Sequence, residues 1–288
     1  MEKIPVYAST GAIITRLNGR NYRLIPEIVP QLHADGVEFM MYDSWNDEVR
    51  EIRAFLRRTG IYFPVMHLDK KIGEMLSEFG ADGLTRAKEM LARDLITARE
   101  IGAEKLVLHL WSGAYSDLHF GAMLDAIEPL SEMAEKAGQR LTVENVTCRV
   151  ARSLPRMRAV YERCPRVDFT YDTKMAQLHG ENEMLPLPEW DWLFAEKHVT
   201  HLHVNDTLTE NAMKGRMPVL HYGEGEVKFA RFFDYIRQKG YCGTATVESA
   251  SCREDGSVDV ERFNRSLDGV RSALNCRRSE GVLWDFSI

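Results

Sequence analysis

Six short apolar runs along this chain each close on an acid or a histidine: PVMHLD, KLVLHLW, RLTVENV, VDFTYDT, VTHLHVND and ATVESA. The polar residues at their ends are His67, His109, Glu144, Asp172, His203 and Glu248. An ionisable group at the end of a buried apolar strand is costly unless it finds a partner or a metal. One such residue is ordinary. Six on successive strands point to one shared site at the C-terminal mouth of a parallel barrel, the face where the strand-to-helix loops carry the chemistry.

The rest of the pattern agrees. Strands are expected near 4–9, 37–42, 62–67, 105–110, 140–145, 167–172, 199–205 and 243–248. Between them lie segments with apolar residues at helical spacing and a glycine stop: EVREIRAFLRRTG, LTRAKEMLARDLITAREIGA, HFGAMLDAIEPLSEMAEKAG and VKFARFFDYIRQKG. Eight strands alternating with helices make an α/β protein, a single (β/α)8 TIM barrel with outer helices. The 288 residues would hold one such barrel or two ordinary domains. With no linker, repeat or low-complexity stretch, residues 1–288 read as one domain.

Side chains alternate along a strand, so the phase can be tested. If Glu144 faces the barrel axis, so does Thr142. Asp172 brings Thr170, Glu248 brings Thr246 and His203 brings His201. The opposite face then holds Leu141, Val143, Phe169, Tyr171, Ala245, Val247, Leu202 and Val204, all fit to lie under helices. Long segments after the sixth and seventh strands, MAQLHGENEMLPLPEW and TLTENAMKGRMPVLHYGEGE, are expected to shape the pocket.

Bulk properties exclude some roles. The formal net charge is -6 and the pI near 5.9, against a polyanionic partner such as nucleic acid. No apolar run approaches the roughly 20 residues that cross a bilayer, and MEKIPVYAST lacks the apolar core of a signal peptide. Five cysteines without CxxC spacing read as reduced thiols of a cytoplasmic protein. Homo-oligomer formation stays open.

Glu144, Asp172, His203 and Glu248 are the strongest members of the constellation. Three carboxylates and one imidazole suit one divalent ion, Mn²⁺ first, with Mg²⁺, Co²⁺ and Zn²⁺ also compatible. Singly each is as readily a satisfied strand-end residue; four on neighbouring strands are not.

GVEFMMYD, LTVENV, FTYDT, HLHVND, GEGEVKF and TVES, taken in order and spacing, resemble the xylose-isomerase-like barrel superfamily. That group includes sugar phosphate isomerases/epimerases and endonuclease IV-type repair enzymes, and the resemblance covers nearly the whole chain. It implies a metal held by Glu144, Asp172, His203 and Glu248, with the two glutamates as the acid/base pair. The implied substrate is a small ketose or related polyol, isomerised or epimerised through an enediolate. A keto-inositol-type dehydratase and a non-catalytic sugar-binding barrel remain as alternatives. Trinuclear nucleases carry further ligands where this chain has Met175, Met217 and Val219, so one metal is expected and a nuclease is disfavoured.

His67, His109, Trp111, Arg216 and Lys174 are expected to contact substrate. For Trp111, as for Tyr7, Tyr42 and Trp45 near other strand ends, rim packing is the competing reading. Arg216 is equally readable as an exposed loop arginine, and Lys174 as the partner of an acid. His179 could approach by its loop. The glycines of GEGEVKF fit a tight turn, since no phosphate-binding glycine motif is present.

Overall fold

The computed structural model describes residues 3–112, 116, 118–148, 151–210 and 218–276. Eight strands, β1 (Val6–Ser9), β2 (Val37–Met40), β3 (Val65–His67), β4 (Lys105–Leu108), β5 (Arg140–Glu144), β6 (Asp168–Asp172), β7 (Val199–Val204) and β8 (Thr244–Val247), form a closed barrel in chain order. Every neighbouring pair is parallel, β8 against β1 included. All eight expected strands are present, trimmed at their ends.

The helices Val49–Thr59, Leu84–Ile101, Phe120–Lys136 and Phe229–Gln238 occupy the four expected segments. Gly60 and Gly102 stop the first two with φ of 67° and 82°, a left-handed turn that glycine makes without a Cβ penalty. After β1 and β6 the barrel is covered by shorter pieces, among them Thr173–Gln177, Glu181–Met184 and Trp192–Ala195.

The strand phase is the expected one. Leu141, Val143, Phe169, Tyr171, Leu202, Val204, Ala245 and Val247 are buried in the main apolar core, beneath the helices. The axis holds a separate small apolar group, Tyr7, Val65 and Val107, and a polar remainder. Thr142 and Thr170 are hydrogen-bonded across β5 and β6 at 2.6 Å. Glu38, His201 and Thr246 are fully buried beside them. A barrel interior is ordinarily filled with branched apolar side chains, so this polar axis needs a reason. Opposite the mouth, at the N-terminal ends of the strands, lies a cavity of about 710 Å³ lined by residues including Tyr7, Tyr62, Glu104, Lys105, Arg140 and Thr244. It contains none of the strand-end acids and histidines.

Candidate metal centre

The six strand-end residues converge at the mouth. Glu144 is the hub, fully buried on the last position of β5. Its Oε2 lies 2.8 Å from His109 Nε2 and 3.3 Å from His67 Nε2. Its Oε1 lies 3.5 Å from His203 Nδ1. The same nitrogen is 3.5 Å from Glu248 Oε2. Ligand atoms of Glu144, Asp172 and His203 fall within 4.8 Å of one another, and so do those of His67, His109 and Glu144. Ligands about 2.0–2.2 Å from a shared ion stand roughly 3.0–3.6 Å apart, so these spacings match a coordination sphere.

The partners of each atom show where a cation fits. Asp172 Oδ1 is fully used, accepting from the backbone N–H of Lys174 at 2.7 Å and Met175 at 2.9 Å as the cap of the helix Thr173–Gln177. Asp172 Oδ2 and His203 Nδ1 are buried with no hydrogen-bond partner among the described residues. Buried polar atoms are rarely left so. Two such atoms beside Glu144 and Glu248 form a cradle for a positive ion, and the donor set fits a hard to borderline divalent metal.

Neighbouring residues hold the ligands still. Asn145 accepts from Asp172 N at 2.5 Å and donates to Asp172 O at 3.1 Å, clipping the ends of β5 and β6 together. The Thr173 hydroxyl donates to Asn205 O at 2.8 Å, tying β6 to β7. Asn205 Nδ2 reaches Glu248 Oε2 at 3.4 Å. Asp206 serves the loop instead, accepting from Gly225 N at 2.8 Å and Val227 N at 3.0 Å. A Cβ on Gly225 would meet Thr207 O at 2.3 Å, which is why GEGEV is a glycine turn and not a nucleotide loop.

Electrostatics follow from burial and crowding. Burial by itself raises the Glu144 carboxyl, but the His109 and His203 rings hold it well below the usual carboxylate range. Asp172 has weaker help: burial pushes it up to about 6, with Lys174 lowering it and Glu144 and Glu248 raising it. Burial opposes charge on His203, yet Glu248, Glu38 and Glu144 lift the ring well above its ordinary value. His109 is pushed down to about 3 by burial, against the pull of Glu144, so its ring is neutral.

The expected substrate contacts divide. His67 and His109 stand at the site, 3.2 Å apart. Lys174 is buried, has no ion pair within 4.0 Å among the described residues, and sets its Nζ 3.8 Å from the Met175 sulfur. Trp111 is fully buried. Its indole N–H donates to Val146 O at 2.7 Å, and its ring meets Phe120 edge-on beneath the Arg156 guanidinium, so this geometry supports wall packing. Trp45 likewise stacks on Phe39 and donates to Arg20 O. His179 turns to Cys148 O at 3.2 Å, outside the ligand clusters. Arg216 and Met217 lie outside the described residues.

Glu38, on β2, was not among the expected site residues. Its Oε1 lies 3.0 Å from His203 Nε2 and its Oε2 3.0 Å from His201 Nε2. Attention to strand ends passes over it, because it sits mid-strand. The alternation test finds it: Val37 and Phe39 belong to the outer core, so Glu38 is an acid on the barrel axis.

No curated protein matches the chain by sequence. Solved structures do match in fold. D-allulose 3-epimerase from Methylomonas sp., in complex with D-allulose, superimposes with a TM-score of 0.68 at 14% identity, covering 95% of this chain and 98% of that one. The 3-keto-D-glucoside 4-epimerase YcjR from E. coli gives 0.62 at 17% identity, covering 94% and 100%. The IOLI protein, crystallised with a bound zinc atom, gives 0.72 at 12% identity, covering 96% and 100%. The model of the xylose isomerase-like TIM barrel family matches residues 27–273, and the chain belongs to that family.

Proposed function

We propose that the protein is a divalent-metal-dependent isomerase or epimerase of a small ketose or related polyol. The observation that carries this reading is the cradle at the mouth: Glu144, Asp172 and His203 with ligand atoms within 4.8 Å of one another, and Glu248 against the same His203 nitrogen. The epimerases of similar fold act on sugars, which supports the substrate class.

Glu144, Asp172, His203 and Glu248 would hold one ion, Mn²⁺ before Mg²⁺, Co²⁺ or Zn²⁺. A metal held there would supply Lewis acidity to a carbonyl and its neighbouring hydroxyl, which would make the adjacent C–H more acidic. The protein residues do the rest. Glu144 and Glu248 rise from strands separated by β6 and β7 and approach the substrate from different sides. One takes the proton from carbon, leaving an enediolate, and the other returns a proton on the opposite face. The side chain of Glu248 is 16% exposed against 2% for Glu144, so Glu248 is the better placed to exchange its proton with solvent. His67 and His109 offer ring nitrogens to substrate hydroxyls, and Lys174 an ammonium that has no ion pair within 4.0 Å among the described residues.

The test is deuterium uptake from D₂O by a panel of ketoses and inososes with protein and Mn²⁺. Uptake at a carbon beside a carbonyl, lost in fully metallated Glu248→Gln, is the expected result. No uptake from any member removes the isomerase reading. Uptake unchanged in that variant leaves Glu248 as a ligand only. Loss of a hydroxyl group would mark a dehydratase.

A further inference from the structure

We propose that a hydrogen-bonded chain along the barrel axis, Lys105–Thr244–His201–Glu38, sets the tautomer of His203 and so aims its Nδ1 lone pair at the metal. The inference rests on the metal site assigned above. It gives the polar axis of the barrel a purpose.

The contacts run without a gap from the N-terminal cavity to the mouth. Lys105 Nζ lies 2.7 Å from Thr200 O and 3.2 Å from Thr244 Oγ1. Thr244 Oγ1 lies 2.6 Å from His201 Nδ1. His201 Nε2 is 3.0 Å from Glu38 Oε2 and 3.1 Å from Thr246 Oγ1. Glu38 Oε1 is 3.0 Å and Oε2 3.2 Å from His203 Nε2. Glu38, His201 and His203 are all fully buried, while Lys105 and Thr244 are half-buried at the wall of the cavity.

The chemistry of each group then orders the protons. A lysine amine donates, so Thr244 Oγ1 accepts from it and keeps its own hydrogen to give. The acceptor at the other end of that short contact is His201 Nδ1. A neutral imidazole carries one N–H, so the hydrogen of His201 sits on Nε2 and donates to Glu38. The opposite tautomer would set the bare nitrogen against a carboxylate oxygen, two acceptors face to face. Glu38, an anion, has only acceptors, so it also takes the Nε2–H of His203. The one His203 nitrogen left is Nδ1, which has no hydrogen-bond partner among the described residues, lies 3.5 Å from both Glu144 and Glu248, and is the position that would give up its proton to a bound cation. Metal-bound histidines are commonly oriented in this way by a carboxylate on the other nitrogen. Here the carboxylate is itself oriented from below by His201, which separates Glu38 from a chance acid near the site.

Glu38 and Thr244 are therefore positioning residues, and neither touches metal or substrate. The test uses full-length protein titrated with Zn²⁺ alone, against a competing chelator, together with ¹⁵N-histidine NMR of the Zn²⁺-loaded form. In the wild type, His203 should show a metal-bound Nδ1 and a protonated Nε2. Glu38→Gln should weaken Zn²⁺ binding by about 10–100-fold, the range for loss of an outer partner. Should Glu38→Gln fail to fold, Thr244→Val breaks the chain three contacts from the ligand. It should weaken binding several-fold, and Thr244→Ser should restore it. Zn²⁺ bound through His203 Nε2, or both Glu38→Gln and Thr244→Val binding within twofold of wild type, overturns the proposal and leaves the metal site intact. Wild-type protein with no Zn²⁺ affinity overturns the metal site itself.

Discussion

Glu144 faces two unlike neighbourhoods. On one side its Oε2 meets two histidines, His67 and His109. On the other its Oε1 meets His203, with Asp172 and Glu248 beyond. The first side is rich in imidazole, the second in carboxylate. Their support differs as well. His203 is backed by the Glu38 carboxylate. Among the described residues, His67 Nδ1 is backed by the Leu68 carbonyl at 2.8 Å, and His109 Nδ1 has no hydrogen-bond partner. A ligand needs its ring fixed and its lone pair exposed. The carboxylate side meets both needs; on the histidine side His67 is held at both ring nitrogens, and His109 is held through Nε2 alone, by Glu144. Sharing a single glutamate, the two sides would take different tasks under the proposed function: one to hold an ion, the other to read what the ion binds.

Removing a ligand should break this contrast most sharply. Asp172→Asn removes the charge from the unpartnered Oδ2, and His203→Gln removes the backed ring. Each is expected to lower Mn²⁺ affinity by more than the ~10–100-fold typical of an outer partner. Calorimetric titration of metal-stripped protein measures this. Wild-type affinity in both variants would place the metal elsewhere.

The histidine side should respond differently. His109→Gln and His67→Gln are expected to stay within about tenfold of wild type in Mn²⁺ affinity, an effect no larger than that of a weak outer partner, while raising KM for the substrate. Elemental analysis after dialysis should give one equivalent per chain. Met175, whose N–H only caps Asp172, and Val219 stand where further ligands would be needed for a trinuclear centre. Two equivalents, with the second lost in His67→Gln, would show that both sides bind metal and that Glu144 bridges them.

The fold and the carboxylate side were legible because both rest on period-two alternation. An acid that ends an apolar strand is visible from local sequence, and its phase is checked by the residue two before it, as Thr142, Thr170 and Thr246 show. Glu38 obeys the same rule but ends nothing, so its role depends on β7, about 165 residues away, and only the closed barrel brings the two together. The aromatic expectations failed to discriminate for a related reason. Trp111 follows a strand end as a stacking residue would, but whether its ring faces the pocket or the wall depends on Phe120 and Arg156. Local pattern gives depth along a strand; it does not give the direction of a large side chain beyond the strand's end.

The smallest expected effect on the ion-holding side lies beneath the histidine side. Asp94, on the helix Leu84–Ile101, is fully buried and accepts from the backbone N–H of Asp69 at 2.9 Å, two residues past His67. Arg93 approaches both acids, at 3.7 Å from Asp94 and 3.6 Å from Asp69. Burial pushes the Asp94 carboxyl up to about 7, against the hydrogen bond from the Asp69 N–H and the Arg93 guanidinium, while the Asp69 carboxylate adds to the rise. A carboxyl raised on folding binds its proton more tightly in the native state. Its neutral form is therefore fully compatible with folding below the unfolded value near pH 4, and stability falls as pH climbs from there to about 7. At about 1.4 kcal/mol per pKa unit the whole change is at most ~4 kcal/mol. Asp94→Asn keeps an acceptor for the Asp69 N–H and cannot ionise. Denaturant unfolding at pH 5 and pH 7.5 should show a smaller loss of stability across that interval than in wild type. An unchanged slope would mean that Asp94 does not titrate there. The same variant sharpens the contrast at Glu144: because Asp94 anchors only the end of β3, its Mn²⁺ affinity should match wild type, and a shift would show that the His67 side takes part in holding the ion.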